Sequence, residues 1–251
     1  MGIITRNAAF ISSLLIFAVL EIIAARPQAV YLSLLILLFL SLAALLFSGR
    51  RIWHKDFWLC LQPALLFQAS GLLLLYFLET NIFRQILIVF VFLLNWLFFK
   101  SYYQVKQLGQ GPKILTGFLN ALTLFTAFFC FLDFFALKIF LDLNIWLLTF
   151  LVVPVSFLLI WQNFRLEAAK NRFRPVYYLV ILLILTEVFL GLTYFPTNFF
   201  VNGLFFTALF YLLFNISRLQ IVGQLTKKIL FSYLAFGIGL AIIVFSTAQW
   251  I

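Results

Sequence analysis

Charge is scarce in this chain: only 10% of its 251 residues are Asp, Glu, Lys or Arg, and just seven are acidic. A soluble domain carries roughly a quarter charged residues, so there is too little polar surface to cover a water-facing fold. Histidine occurs once, as His54 beside Lys55 and Asp56, which rules out a His-based metal centre or a paired haem ligation. The two cysteines, Cys60 and Cys130, fall near opposite ends of their apolar stretches, beyond the short reach of a disulfide, and are expected as free thiols. There is no P-loop, no Gly-x-Ser-x-Gly elbow and no His-Glu-x-x-His. The common ATPase, serine hydrolase and zinc protease chemistries therefore have no anchor, and no catalytic residue, cofactor or metal is assigned.

What fills the chain instead is hydrocarbon. Apolar residues make up 66%, with 35 Phe and a mean hydropathy of +1.17. About 20 apolar residues cross a bilayer as a helix, and nearly every stretch between polar breaks approaches that length. These stretches lack the alternation of a barrel strand, so their backbones must satisfy themselves as helices. The expectation is an all-α membrane protein, a polytopic transmembrane helix bundle forming one integral membrane domain over residues 1–251. Nine spans are placed near 8–25, 29–48, 57–78, 82–99, 114–137, 143–162, 176–195, 199–216 and 229–250. The breaks carry Pro, charge or turn residues, as at Arg26-Pro27-Gln28 and Pro196-Thr197-Asn198. The apolar run 114–164 is too long for one span and is divided near Lys138 and Asp142. Arg6 with the following run resembles a signal peptide, but Glu21 interrupts the cleavage region, so the segment is read as a retained first span.

The basic residues alternate from loop to loop. Thirteen of the 17 fall in the second, fourth, sixth and eighth loops: Arg50, Arg51, Lys55; Lys100, Lys106, Lys113; Arg165, Lys170, Arg172, Arg174; and Arg218, Lys227, Lys228. The odd loops hold only Arg26, Arg84 and Lys138, and Arg6 joins the rich side. The positive-inside rule makes that side cytoplasmic, with the N-terminus inside, and the expected location is a plasma membrane, the inner membrane if the cell is bacterial. The net charge of +10 is dispersed over short loops rather than massed in a basic domain. Its expected partners are the bilayer and its anionic headgroups, and no nucleic acid is assigned.

Acids recur too. Glu21, Glu79, Asp133 and Glu187 stand 58, 54 and 54 residues apart, and the first three are each followed five residues on by Arg26, Arg84 and Lys138. This spacing predicts four helical hairpins, related as parallel repeats, plus a terminal helix. Counting about 1.5 Å per residue, Glu21 and Glu187 fall near the bilayer middle. Glu79 and Asp133 reach its outer edge, where Glu79 with Arg84 and Asp133 with Lys138 are candidate outer-face charge pairs. An intramembrane carboxylate is protonated, paired or facing water, so Glu187, Glu21 and, at similar depth, Gln68 are the candidate functional residues within the membrane. Asn95, Asn120, Asn202 and Gln62 are expected to tie helices together. In the last span Ala235, Gly237, Gly239 and Ala241 form overlapping small-residue pairs suited to close helix approach, either within the bundle or at a seam with another membrane protein or a second copy.

Three function classes fit these features. A transporter or channel whose path passes the mid-membrane carboxylates is the leading expectation. A non-catalytic structural or accessory subunit of a membrane complex is the alternative. An enzyme acting on a lipid-linked substrate is the third: its phosphate would rest on the cytoplasmic Arg and Lys, with Asp56 or Glu167 as acid or base.

Overall fold

The computed structural model describes residues 3–25, 30–48, 55–108, 112–166 and 174–247. They form nine α-helices, and no strand occurs among the described residues. The helices are α1 (Ile3–Ala25), α2 (Val30–Ser48), α3 (Lys55–Phe77), α4 (Asn81–Leu108), α5 (Pro112–Leu141), α6 (Ile145–Leu166), α7 (Arg174–Leu192), α8 (Phe199–Val222) and α9 (Lys227–Thr247). The all-helical, membrane-type fold expected from composition is what the chain adopts.

Five helices are long and apolar enough to cross a membrane, through Asn81–Gln104, Gly117–Leu141, Ile145–Gln162, Pro175–Leu192 and Phe199–Ile221. Their 18 to 25 residues span about 27–38 Å at 1.5 Å each, against a hydrocarbon core of about 30 Å. Shorter apolar helices run over Ala9–Ala25, Leu32–Leu46 and Leu61–Phe77. The outward faces are as apolar as the interior: Leu35 is 67% exposed, Phe39 70% and Phe150 77%. In water such a surface would aggregate; in lipid it is the ordinary outside of a span.

Helix ends follow local chemistry. The division of the long apolar run falls where the sequence suggested it. α5 stops at Leu141 because Asp142 takes a left-handed conformation (φ 44°), which Asp tolerates better than most residues. α6 then begins with the Asn144 side chain accepting from the Trp146 amide at 2.9 Å. α7 ends at Leu192, three residues before the expected 195, since the residue before Pro196 is disfavoured as helix; the Phe195 amide closes a turn on Leu192 O at 3.1 Å. Asn198 caps α8 by accepting from the Val201 amide, and Gly223 (φ 74°) ends it, with the Gln224 amide reaching back to Leu219 O. α4 and α8 outrun their expected spans, because a helix does not stop where its apolar stretch stops.

The chain divides into two compact units, Met1–Thr126 and Ala127–Ile251, with the boundary inside α5. In the first unit α1 packs on α2 and α4, and α3 packs on α2 and α4. The α1–α4 seam is aromatic: Phe10 meets Phe92 and Trp96 edge-on, and Phe17 meets Phe92. In the second unit α7 packs on α6 and α8, and α8 on α9. Phe206, Phe210 and Phe214, four residues apart on α8, form one face. Phe131 lies 4.5 Å from Phe206 and 5.6 Å from Phe210 between ring centroids, and Phe135 joins Phe206 and Phe189. Gly203, one turn before Phe206, leaves the space that Leu132 fills; a Cβ there would stand 2.5 Å from Leu132 Cδ2 and 3.1 Å from its Cα. Such edge-to-face pairs add about 0.5–1.5 kcal/mol each beyond area burial, so this column fixes the central part of α5 in the second unit.

Candidate functional site

Hydroxyl groups in a membrane helix need an acceptor, and most find one a turn back. Ser13, Thr123, Thr126 and Thr207 each donate to the carbonyl four residues earlier at 2.7–2.9 Å. The longer amides must look across to other helices. In the first unit buried Gln68 on α3 does so with both ends. Its Oε1 accepts from Ser41 Oγ of α2 at 2.7 Å and its Nε2 donates to Asn95 Oδ1 of α4 at 2.9 Å. Asn95 passes the chain on to Val91 O. Ser41 Oγ also lies 2.9 Å from Leu37 O, so its single proton is shared between two acceptors. Ser41, Gln68 and Asn95 are all nearly fully buried. This polar thread ties three helices together, each amide bonded at both its oxygen and its nitrogen.

Glu21 lies elsewhere in the same unit. It is half-buried near the Ala25 end of α1 and accepts from Gln85 Nε2 of α4 at 3.2 Å. Gln68 and Glu21 therefore each have their own partners and do not bond to one another. Glu187, in the second unit, is exposed on α7, five residues before the helix ends at Leu192. That is about 7.5 Å along the axis, shallower than the 176–195 span implied. No hydrogen bond or ion pair reaches it among the described residues.

The outer charge pairs are also arranged differently from their spacing. Arg84 Nε donates to Leu78 O at 2.7 Å, sealing the end of α3 rather than meeting Glu79, which is exposed. Lys138 turns one turn forward to Asp142, Nζ to Oδ1 at 2.6 Å. That hydrogen bond first, and the ammonium charge second, hold the Asp142 carboxyl below the usual range. Asp133 is left without its expected base.

Asp133 is the residue whose surroundings the sequence reading did not foresee. α5 runs four residues past 137, so the acid lies eight residues inside Leu141, about 12 Å, rather than at the edge. It sits within eight consecutive buried residues, Phe129 to Ala136, is itself 2% exposed, and its Oδ1 has no hydrogen-bond partner. The signal was present in the sequence. A single Lys near a helix end can snorkel to the headgroups, so Lys138 does not close the span, and Ile139, Phe140 and Leu141 carry it further. Two other buried polar side chains of the second unit are similarly open: Ser156 Oγ and both polar atoms of Gln162 on α6. A buried polar atom without a partner costs roughly 1–3 kcal/mol and calls for an explanation. Among the described residues no group of three or more His, Cys, Asp or Glu could hold a metal ion.

The remaining expectations divide by location. Asn202 ties a helix junction together, accepting from Thr197 Oγ1 at 2.6 Å and donating to Leu192 O. Gly237 of α9 faces Leu212 of α8, whereas a Cβ on Gly239 would meet nothing. His54, Arg26 and Glu167, and with Glu167 half of the acid pair suggested for a lipid-linked substrate, lie outside the described residues. Residues 50–247 match a family model described as "Protein of unknown function (DUF5656)". No curated protein and no solved structure matches the chain.

Proposed function

We propose that the chain, which belongs to this DUF5656 family, is a multi-pass plasma-membrane protein that moves protons across the bilayer or couples them to transport, with Asp133 as the carboxylate on the path. The observation that carries this reading is the buried Asp133 side chain with its open Oδ1. An ionisable group held inside a span is costly to keep, and such groups mark ion or proton pathways. A proton is the cargo because one carboxylate suffices to hold it. A desolvated Ca²⁺ needs six to eight oxygen ligands and Mg²⁺ near-octahedral coordination, and no group of three or more His, Cys, Asp or Glu stands among the described residues. The loop bias of thirteen basic residues to three supports nine spans with the N-terminus and the basic loops cytoplasmic.

Proteoliposomes holding a pH-sensitive dye test this reading. The wild type should dissipate an imposed proton gradient well above the rate of empty vesicles, and Asp133→Asn, which keeps size and shape, should fall to the empty-vesicle rate. Equal flux in both would remove Asp133 from the path. Labelling of introduced thiols near Lys106 and Arg172 from the outer side would remove the orientation.

A second reading, a non-catalytic subunit of a membrane complex, is favoured by one observation: the thread Ser41–Gln68–Asn95 spends its bonds on tying α2, α3 and α4 together. It expects no flux from the purified chain at all.

A further inference from the structure

We infer that protons reach Asp133 from the Leu166 end of α6, along water held by the side chains of Ser156 and Gln162. This rests on the proton path proposed above and names the residues that connect it to one side of the membrane. Other hydroxyl groups of the second unit bond to their own helix: Thr149, Thr186 and Thr207 each donate to the carbonyl four residues earlier at 2.7–2.8 Å. Ser156, inside α6, has the same kind of acceptor one turn back, yet its hydroxyl is 1% exposed and has no partner among the described residues. A hydroxyl turned away from its own backbone is set for a partner from outside the helix. Gln162 is fully buried with both Oε1 and Nε2 open, so it can both accept and donate. Buried polar groups in that condition hold ordered water.

The turn joining α5 to α6 gives a common origin for depth. Asp133 lies eight residues inside Leu141, and Ser156 eleven beyond Ile145, about 12 and 17 Å along their helices. Gln162 closes the apolar stretch Ile145–Gln162, about 26 Å from the turn. The open atoms therefore run from Asp133 away from the turn to the far edge of the span. Toward the turn they have no counterpart, since Thr149 is bonded to its own helix. Ser156 and Gln162 stand about 9 Å apart along the axis, a gap that two or three waters at about 2.8 Å from one another close. A proton passes such a file as each new O–H bond forms while the next one breaks, and it ends on the Asp133 carboxylate. The waters and the Ser156 hydroxyl are left as they were. Gln162 anchors the first water and remains an amide throughout. In the proposed topology this end of α6 faces the cytoplasm.

Two measurements on the full chain in proteoliposomes test the inference. In the first, Gln162→Leu, which leaves Asp133 in place, should lose most of the proton flux while its melting temperature stays at or above that of the wild type. In the second, Cys60 and Cys130 are replaced by Ala, so that one introduced thiol gives the infrared S–H band. On transfer to D₂O, Ser156→Cys should exchange to S–D promptly. Ala136→Cys, as buried as Ser156 but on the turn side of Asp133, should keep its S–H band. Equal exchange at the two positions, or none at Ser156→Cys, would overturn the hydrated route. Flux lost in Asp133→Asn but kept in Gln162→Leu would overturn the route alone, whereas a wild type without flux would overturn the proton path and the route with it.

Discussion

The two units treat buried polarity in opposite ways. In the first, Gln68 sits among three helices with both ends bonded, and Asn95 carries the chain to a backbone carbonyl; among the described residues of that unit, Gln62 Nε2 is the buried side-chain atom left open. In the second, Asp133, Ser156 and Gln162 are buried with open polar atoms, although Asn202 of the same unit shows that an amide can be satisfied there when packing is its role. The contrast teaches that a buried polar residue in a membrane helix is informative by what it leaves unused. A thread bonded at both ends ties helices together; a buried acid with an open oxygen is the group on which the proposed proton path rests.

The comparison can be broken most severely at the packing that holds α5. Gly203→Ala places a methyl 3.1 Å from the Leu132 backbone, where no side-chain rotation relieves it. It should destabilise the protein by about 1–3 kcal/mol in thermal or denaturant unfolding in micelles. Gly237→Ala is the internal control, because its neighbour is the end of the Leu212 side chain, which can turn away; its loss should be under about 1 kcal/mol.

Next in size is the thread itself. Gln68→Leu leaves Asn95 Oδ1 without its donor and should lower stability by about 1–2 kcal/mol. Asp133→Leu removes an acid that has an open oxygen already, so it should be neutral or stabilising. Opposite signs for the two replacements, measured under one set of conditions, sharpen the contrast; equal losses would erase it.

The smallest effect lies outside the membrane, at Asp142. Its carboxyl is held low by the Lys138 hydrogen bond and charge, so the contact contributes above the ordinary aspartate value of about 3.9. That contribution is lost as pH falls through the lower folded value. The difference in melting temperature between wild type and Asp142→Asn should be small and flat from neutral pH to about pH 4, then vanish on further acidification. A difference growing toward low pH would contradict the pairing.

Much of the fold was legible because each break has a local cause: Asp142 and Asn144 divide the long apolar run, and Pro196 ends α7. Span ends were less legible, since charge marks the edge of hydrocarbon while a helix continues beyond it, as α4 does to Leu108. Small shifts then changed the site. Four residues added to α5 carry Asp133 further from its helix end, and three removed from α7 bring Glu187 nearer to the Leu192 end. Which side of a helix faces inward was least legible, because these spans are apolar all round and offer no amphipathic stripe to orient them. Hence Gln68 was singled out without the Ser41 and Asn95 it bonds, and the spacing of Asp133 and Lys138 suggested a pair that Asp142 takes instead.

The central claim is that Asp133 is kept for proton movement and not for packing, and one preparation of Asp133→Asn tests it in two readouts. Melting temperature should equal or exceed that of the wild type while proton flux in proteoliposomes drops to the empty-vesicle rate. A melting temperature lowered by several degrees with flux unchanged would make Asp133 a structural residue and contradict the account.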